Sequence, residues 1–356
     1  MKILMLVNWK VKYTDHIPSD KQPPDYYVEG IPYWFFRYFK HKEKYQVDVV
    51  DTHSFFWLEK FEKNKLHFYI WQTIKVLHKL NAYDLVLSHG MQSGIVLCLW
   101  RRIFGKGKYK HIVFDIGAFN SARETGKNLK LMQYASKSLD GVIYHTSHQK
   151  EYYKKCHPWL LTKSRFIPFG TDYEYFIRQK ELVRDFGQHD DYILCAGYNK
   201  RDWETLLKAY NNIQTGVKLK LIGKGDIKCE DPRVEVMPAV STLEFIQQVK
   251  NALFCVLPLQ QFNYSYGQMT LLQQMVLGKA VIVADVYSIE AYKRGNNMLT
   301  YPPEDEKVLQ EKLESLLSDS LLRVRLGKAA EQSVKEYFNE HKMAEAIQEA
   351  IGEWTE

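Results

Sequence analysis

The chain has 356 residues, with 49 Lys and Arg against 42 Asp and Glu for a net charge of +7, and an apolar fraction of 46%. At about 100–200 residues per domain, that length suggests two domains with separate cores and excludes a short peptide-like or disordered chain. The charge is uneven: residues 1–170 hold 27 Lys and Arg against 14 Asp and Glu, so a basic half of +13 precedes an acidic half of −6.

The first ten residues, MKILMLVNWK, contain five uninterrupted apolar residues, Ile3 to Val7, too few for a signal peptide's apolar region. They read as a buried strand. The longest apolar run elsewhere, Ala252–Leu259, is broken by Pro258 and falls far short of the roughly 20 residues a membrane span needs. The expectation is a cytoplasmic protein, soluble or peripheral at the inner face of the membrane. The five cysteines show no CxxC spacing, and Cys195 and Cys255 sit in apolar strand-like runs, which suits a reduced setting without zinc.

Short apolar or β-branched runs alternate with longer helical patterns, the signature of βαβ units and parallel sheets. In the first half the strands are expected at Lys2–Val7, Gln46–Val50, Leu85–Ser88, His111–Phe114, Gly141–His145 and Arg165–Pro168. Helices are expected at Pro32–Phe39, Leu66–Leu80, Gly94–Ile103 and Leu129–Leu139. The pattern restarts with strands at Tyr192–Ala196, Lys218–Ile222, Val234–Met237, Ala252–Leu257 and Ala280–Val283. Helices follow at Trp203–Asn211, Leu243–Asn251, Gln268–Leu277 and from Glu306 to about Ile351. The domains are therefore expected at 1–170 and 192–335, joined by a mixed-charge linker at 171–191. Residues 336–356 would form a last helix packing back on the first domain.

Several segments carry a family likeness in order along the chain: SLDGVIYHTSHQKEYY and RFIPFGTDYEYF between Ser138 and Phe176, then YILCAGYNKRDWETLLKAY from Tyr192, LKLIGKGD from Leu219, and SYGQMTLLQQMVLGKAVIVADV from Ser265. The set resembles the retaining glycosyltransferases of family 4. The resemblance implies an α/β GT-B fold, two Rossmann-like doubly wound domains facing a cleft. It implies metal-independent transfer of a hexose, with retention, from a nucleotide-diphosphate sugar to a glycan or lipid-linked acceptor hydroxyl, as in polysaccharide biosynthesis. The co-substrate would be a UDP-sugar, with no other cofactor. Front-side attack is the expected mechanism, the acceptor hydroxyl passing its proton to the departing phosphate.

Such a reaction needs cations and helix N-terminal amides beside the leaving diphosphate. The turn Gly197 to Asp202 supplies Lys200 and Arg201 at a strand end, and by resemblance these stand near the family's diphosphate-gripping pair, in a turn two residues shorter than usual. A solvated turn is the plain alternative. Lys224, between Gly223 and Gly225, is a further candidate or an ordinary tight turn. Tyr266, Gly267 and Gln268 open the signature helix and form the second expected phosphate element. Pro238 and Ala239 resemble the loop that meets the nucleobase, or form a common strand-to-helix connection.

In the family, two glutamates with seven residues between them hold the sugar and the ribose; here Ser265 and Gln273 stand in their places. Gln273 can still hydrogen-bond a ribose, whereas Ser265 is too short to bond a hexose as a glutamate would. Either Gln268 takes over, or the sugar is held differently, or catalysis is lost. That departure keeps open a non-catalytic nucleotide-sugar-binding subunit that regulates another transferase; a nucleotide-sugar epimerase is a third option.

In the first half the resemblance points to Gly30 in the loop after the first strand, to His89 beside Ser88 and Gly90, and to Asp115 where the family has a catalytic histidine or acid. Asp115 could accept a proton or bind a sugar hydroxyl, or simply cap a turn before Gly117. His89 is a second acceptor-side candidate with a structural alternative. Finally, lysines mixed with aromatics in 33–80 and 149–165 suggest an anionic membrane surface as partner, or an ordinary core stripe with a wet basic face. No nucleic-acid module accompanies the basic charge.

Overall fold

The computed structural model describes residues 1–182, 192–223 and 227–355. It divides into two units, each built on a six-stranded parallel sheet. The first unit takes residues 1–168, 263–265 and those from His341 onward; the second takes 169–262 and 266–340.

In the first unit, β1 (Lys2–Leu6) leads to a small ribbon of β2 (Lys12–Thr14) and β3 (Tyr26–Val28), then to β4 (Gln46–Val50). After α1 (Phe56–Phe61) and α2 (Ile70–Ile74) come β5 (Leu85–His89), α3 (Met91–Phe104) and β6 (Lys110–Asp115). The helical turn α4 (Ala118–Ser121), α5 (Lys127–Ser136), β7 (Gly141–Tyr144), α6 (Gln149–Cys156) and β8 (Ser164–Phe166) complete it. The sheet order is β4-β1-β5-β6-β7-β8. Ile3 pairs with both Val47 and Leu85. Strands β5 and β7 are buried at every position, as expected where helices cover both faces of a parallel sheet.

The second unit begins with α7 (Tyr173–Leu182), followed by β9 (Tyr192–Ala196), α8 (Trp203–Asn211), β10 (Lys218–Ile222), β11 (Val234–Met237) and α9 (Thr242–Asn251). Then come β12 (Phe254–Leu257), α10 (Gln268–Val276), β13 (Val281–Ala284), β14 (Leu299–Tyr301), α11 (Glu306–Ser318) and α12 (Ser320–Tyr337). The sheet order is β11-β10-β9-β12-β13-β14. The last helix, α13 (Glu340–Thr355), belongs from His341 onward to the first unit.

Four sequence expectations need correction. Pro32–Phe39 is a short 3₁₀ turn, Trp34–Tyr38, in which Trp34, Phe35 and Phe36 are buried. The helix expected over Leu66–Leu80 is broken: His67 takes a left-handed φ of 60°, and the buried Glu62 carboxylate accepts the Trp71 N–H at 2.8 Å, ending one turn and starting another. The run from Glu306 is three helices, because Asp319 leaves helical geometry and caps α12 through the Leu322 N–H at 2.8 Å. The expected linker also contains α7, where the Asp172 carboxylate accepts the Tyr175 N–H at 3.1 Å; its remainder, 183–191, lies outside the described residues.

Candidate functional site

In doubly wound units, ligands meet the carboxyl ends of the strands. At that end of the second unit, β9 runs into Gly197 (φ 92°) and β10 into Gly223 (φ 132°), both in backbone geometry that a side chain resists. Gly197 N–H donates to Ile222 O at 2.8 Å and Gly223 N–H to Met237 O at 3.1 Å. The two glycines stack closely: a β-carbon on Gly223 would lie 3.0 Å from the carbonyl carbon of Gly197. Beside them a pocket of about 230 Å³ is lined by Gly197, Tyr198, Gly223, Ala239, Thr270 and Gln273, among others. Pro238, next to Ala239, is exposed.

Arg201 lies beneath this turn. Its Nε and Nη2 donate to Ala196 O at 3.1 and 3.0 Å, its Nη1 to Asn199 O at 2.8 Å, and its Nη2 to Thr270 Oγ1 at 3.3 Å. Burial draws its pKa below the ordinary guanidinium value. The side chain ties β9, the turn and α10 together. Lys200 is exposed, with φ 56° and its Nζ 4.2 Å from the centre of the Phe262 ring. Asp202 caps α8, accepting from Thr205 N–H at 3.2 Å and its hydroxyl at 2.6 Å. Lys224 lies outside the described residues.

Gly267 (φ 77°) caps α10; a β-carbon there would stand 2.7 Å from Leu259 Cδ1. The Gln268 side chain is buried, its Nε2 donating to Ser288 O at 3.1 Å. The Tyr266 hydroxyl accepts from Phe262 N–H at 3.1 Å and donates to Gln260 O. Sequence reasoning missed Tyr198, Phe245 and Thr270 as pocket residues. Proximity of Tyr198 to the glycine turn was the available signal.

Ser265 groups with the first unit. Its Oγ donates to Gln149 Oε1 at 3.1 Å and lies 3.1 Å from Thr146 Oγ1. Gln149 in turn donates through Nε2 to Asp115 O at 2.9 Å.

Asp115 is buried at the end of β6. Its Oδ1 accepts the N–H groups of Gly117 (3.1 Å) and Phe119 (2.8 Å), and its Oδ2 the Tyr153 hydroxyl (2.7 Å). The carboxylate anchors a turn, and burial, outweighing those hydrogen bonds, pushes its pKa up to about 6. The anchored turn is unusual. Five successive residues, Ala118 to Ala122, have φ of 41, 42, 67, 92 and 50°, a single left-handed helical turn without glycine. Each such residue costs on the order of 1 kcal/mol, so the turn persists only because its surroundings determine it.

His89 closes β5 within a ring of aromatics, its imidazole 4.7 Å from Trp9, 5.6 Å from Trp34 and 5.9 Å from Phe114. Burial lowers its pKa to about 3, so it is neutral, with Nδ1 3.3 Å from Asn8 Oδ1. Gly30 is exposed at φ 80° with open space around it.

In the two stretches rich in lysine and aromatics, 33–80 and 149–165, many of the aromatics are core. Tyr33, Trp34, Phe35, Phe36 and Phe39 are buried, as are Tyr152, Tyr153 and Leu160. The exposed large hydrophobics in these stretches are Phe55, Phe56, Trp57, Phe61 and Ile74. Among the described residues, no helix is long and apolar enough to cross a membrane.

Residues 190–319 match the family model described as Glycosyl transferases group 1. No curated protein matches the chain by sequence. Among solved structures, sucrose-phosphate synthase from Thermosynechococcus elongatus aligns with a TM-score of 0.68 at 15% identity, covering 99% of each chain. Anabaena HepE aligns at 0.67 and 14%, covering 99% of this chain and 100% of its own. The N-terminal domain of Candida albicans trehalose-6-phosphate phosphatase aligns at 0.72 and 9%, covering 99% and 96%. The likeness to these structures is one of fold. The chain thus has two Rossmann-like α/β units of the GT-B kind, and residues 190–319, in its second unit, are similar to the group 1 glycosyltransferase model.

Proposed function

We propose that this protein transfers a hexose, with retention and without a metal, from a nucleotide-diphosphate sugar to a glycan or lipid-linked hydroxyl. One observation carries the reading: the pocket at the strand ends of the second unit is walled by Gly197, Gly223, Ala239 and Gln273, drawn from four segments that the family likeness assigns to the donor. Two positive-φ glycines let the chain turn tightly at the strand ends beside the pocket, a backbone form that suits a diphosphate-binding turn. Gln273 offers a donor and an acceptor to a ribose, and Tyr198 an aromatic face to a base. Lys200 is the cation proposed to meet the phosphates, with Arg201 holding the turn beneath.

A uridine donor is the first choice, because Anabaena HepE, of the same fold, was solved with UDP and with UDP-glucose. Calorimetry with UDP-, GDP- and ADP-glucose tests it. Binding of the uridine series is the expected result, and no binding to any member overturns the reading.

The second reading is a non-catalytic nucleotide-sugar-binding subunit. Ser265, at the place of a signature glutamate, supports it, since its hydroxyl is engaged with Gln149 and Thr146. Donor binding with neither hydrolysis nor transfer to any acceptor tried would favour this alternative.

A further inference from the structure

Four large aromatics stand exposed along one stretch of the first unit: Phe55 at 57%, Phe56 at 83%, Trp57 at 70% and Phe61 at 48%. Leaving Trp and Phe this open to water forgoes much of the stabilisation that burying them provides. The stretch follows β4, so it lies at the carboxyl end of the sheet, where a doubly wound unit takes its ligands.

The charges on it are sorted by side. Glu62 is buried with its carboxylate on the Trp71 N–H, and Glu59 is paired with Lys10 at 2.8 Å. Lys60, Lys63 and Lys65 are exposed, and among the described residues none of them has an ion-pair partner. What faces water is thus aromatic and positive, with the acids turned inward or neutralised. Aromatic rings enter the headgroup layer of a bilayer while lysines are drawn to anionic lipid, so this sorting matches a lipid surface.

We infer that the segment Phe55–Lys65 docks the first unit on an anionic membrane surface. The inference deepens the acceptor reading above, and rests on it, by favouring a lipid-linked acceptor. It also confines the docking face to this segment, because the aromatics of 33–45 and of 149–165 are buried or half-buried. A second exposed apolar patch, Trp100, Ile103 and Phe104, ends α3 just before β6 begins and so belongs to the opposite end of the sheet. It serves as the control.

The test is co-sedimentation of the full chain with vesicles of phosphatidylcholine alone and of three parts phosphatidylcholine to one part phosphatidylglycerol, at low and high salt. Wild type is expected to bind the anionic vesicles at low salt. Phe56→Ser combined with Trp57→Ser should weaken that binding about tenfold or more, whereas Ile103→Ser combined with Phe104→Ser should leave it unchanged. The inference is overturned if wild type fails to bind, if it binds neutral vesicles equally well, or if the control pair weakens binding as much as the Phe56/Trp57 pair. UDP calorimetry on the same samples reports separately on the donor reading, so the two can fail independently.

Discussion

Arg201 and Gly197 occupy one another's space: a β-carbon at residue 197 would fall on the Arg201 guanidinium. The arginine can reach Ala196 O and Asn199 O only because the residue above it has no side chain. The open turn over the pocket and the buried cation beneath it are therefore one device.

Arg201→Ala removes four hydrogen bonds and leaves the buried Ala196 carbonyl without two of its donors. A buried polar group left unsatisfied costs about 1–3 kcal/mol. The expected outcome is a fall in unfolding free energy of that order, measured by denaturant titration, with donor affinity reduced about tenfold or more. An unchanged affinity would show that the turn holds its shape without the brace.

Gln273 lines the pocket from α10. Gln273→Ala should weaken UDP binding by about 1 kcal/mol, roughly fivefold, without lowering the thermal midpoint, while Gln273→Glu should retain acceptor capacity toward a ribose and lose less. Calorimetry beside a melting curve checks both. Equal loss in the two variants would count against a hydrogen-bond role.

Four histidines of the first unit are held neutral, chiefly by burial: His89 and His111 are pushed down to about 3, His145 and His157 to about 4. In an unfolded chain each would protonate near 6.5. Their contribution is fully present above that pH and is lost as pH falls from about 6.5 toward 4, because the unfolded state then binds more protons. Asp115, pushed up to about 6, acts with the opposite sign: its burial disfavours folding as pH rises from about 4 to 6. Four groups oppose one, so the first unit should be markedly less stable at pH 5 than at pH 7. Tryptophan fluorescence reads this unit, since Trp203 alone of the eight tryptophans belongs to the other. His157, whose ring nitrogens lack partners among the described residues, is the cleanest probe: His157→Leu should shrink the difference between the two pH values.

Asp115→Ala should release the left-handed turn 118–122, since the Gly117 and Phe119 N–H groups and the Tyr153 hydroxyl lose their acceptor. A loss of about 2–4 kcal/mol is expected in denaturant melts. Asp115→Asn, which keeps one carbonyl acceptor, should lose less, and in both variants proteolysis should begin within this turn. Transfer activity that vanished in Asp115→Asn while stability held would assign a chemical role to the carboxylate.

Gly141 starts β7 where the Trp354 ring of α13 lies against it, so close that any β-carbon displaces the indole. Gly141→Val should therefore lower stability by about 1–3 kcal/mol, an overpacking cost. Trp354→Ala in the same background should recover part of it in a double-mutant cycle. Additive losses would mean that the helix does not depend on this contact.

The alternation of apolar strands with helices was legible because parallel strands covered on both faces must be apolar at nearly every position. Strands Gln46–Val50, Tyr192–Ala196, Lys218–Ile222 and Val234–Met237 match their expected bounds. Glycines at strand ends and at a helix start were legible for a similar local reason: Gly197, Gly223 and Gly267 sit where the backbone takes a positive φ. The short edge strand Leu299–Tyr301 was not, because three residues carry too little periodicity to register.

Side-chain direction was the part left to tertiary structure. Composition could mark Arg201 and Asp115 as charged groups at strand ends, yet whether each faces solvent or folds back depends on carbonyls and N–H groups distant in the chain or hidden by the turn itself. The aromatics divide in the same way: Trp34 and Phe35 lie in the core and Phe56 and Trp57 in water, although both pairs sit in similar lysine-rich sequence. Local pattern determines which elements form, because hydrogen bonding and apolar periodicity are local. Which charged and aromatic groups remain available to a ligand or a surface is decided only when the elements pack, because burial belongs to the assembled fold.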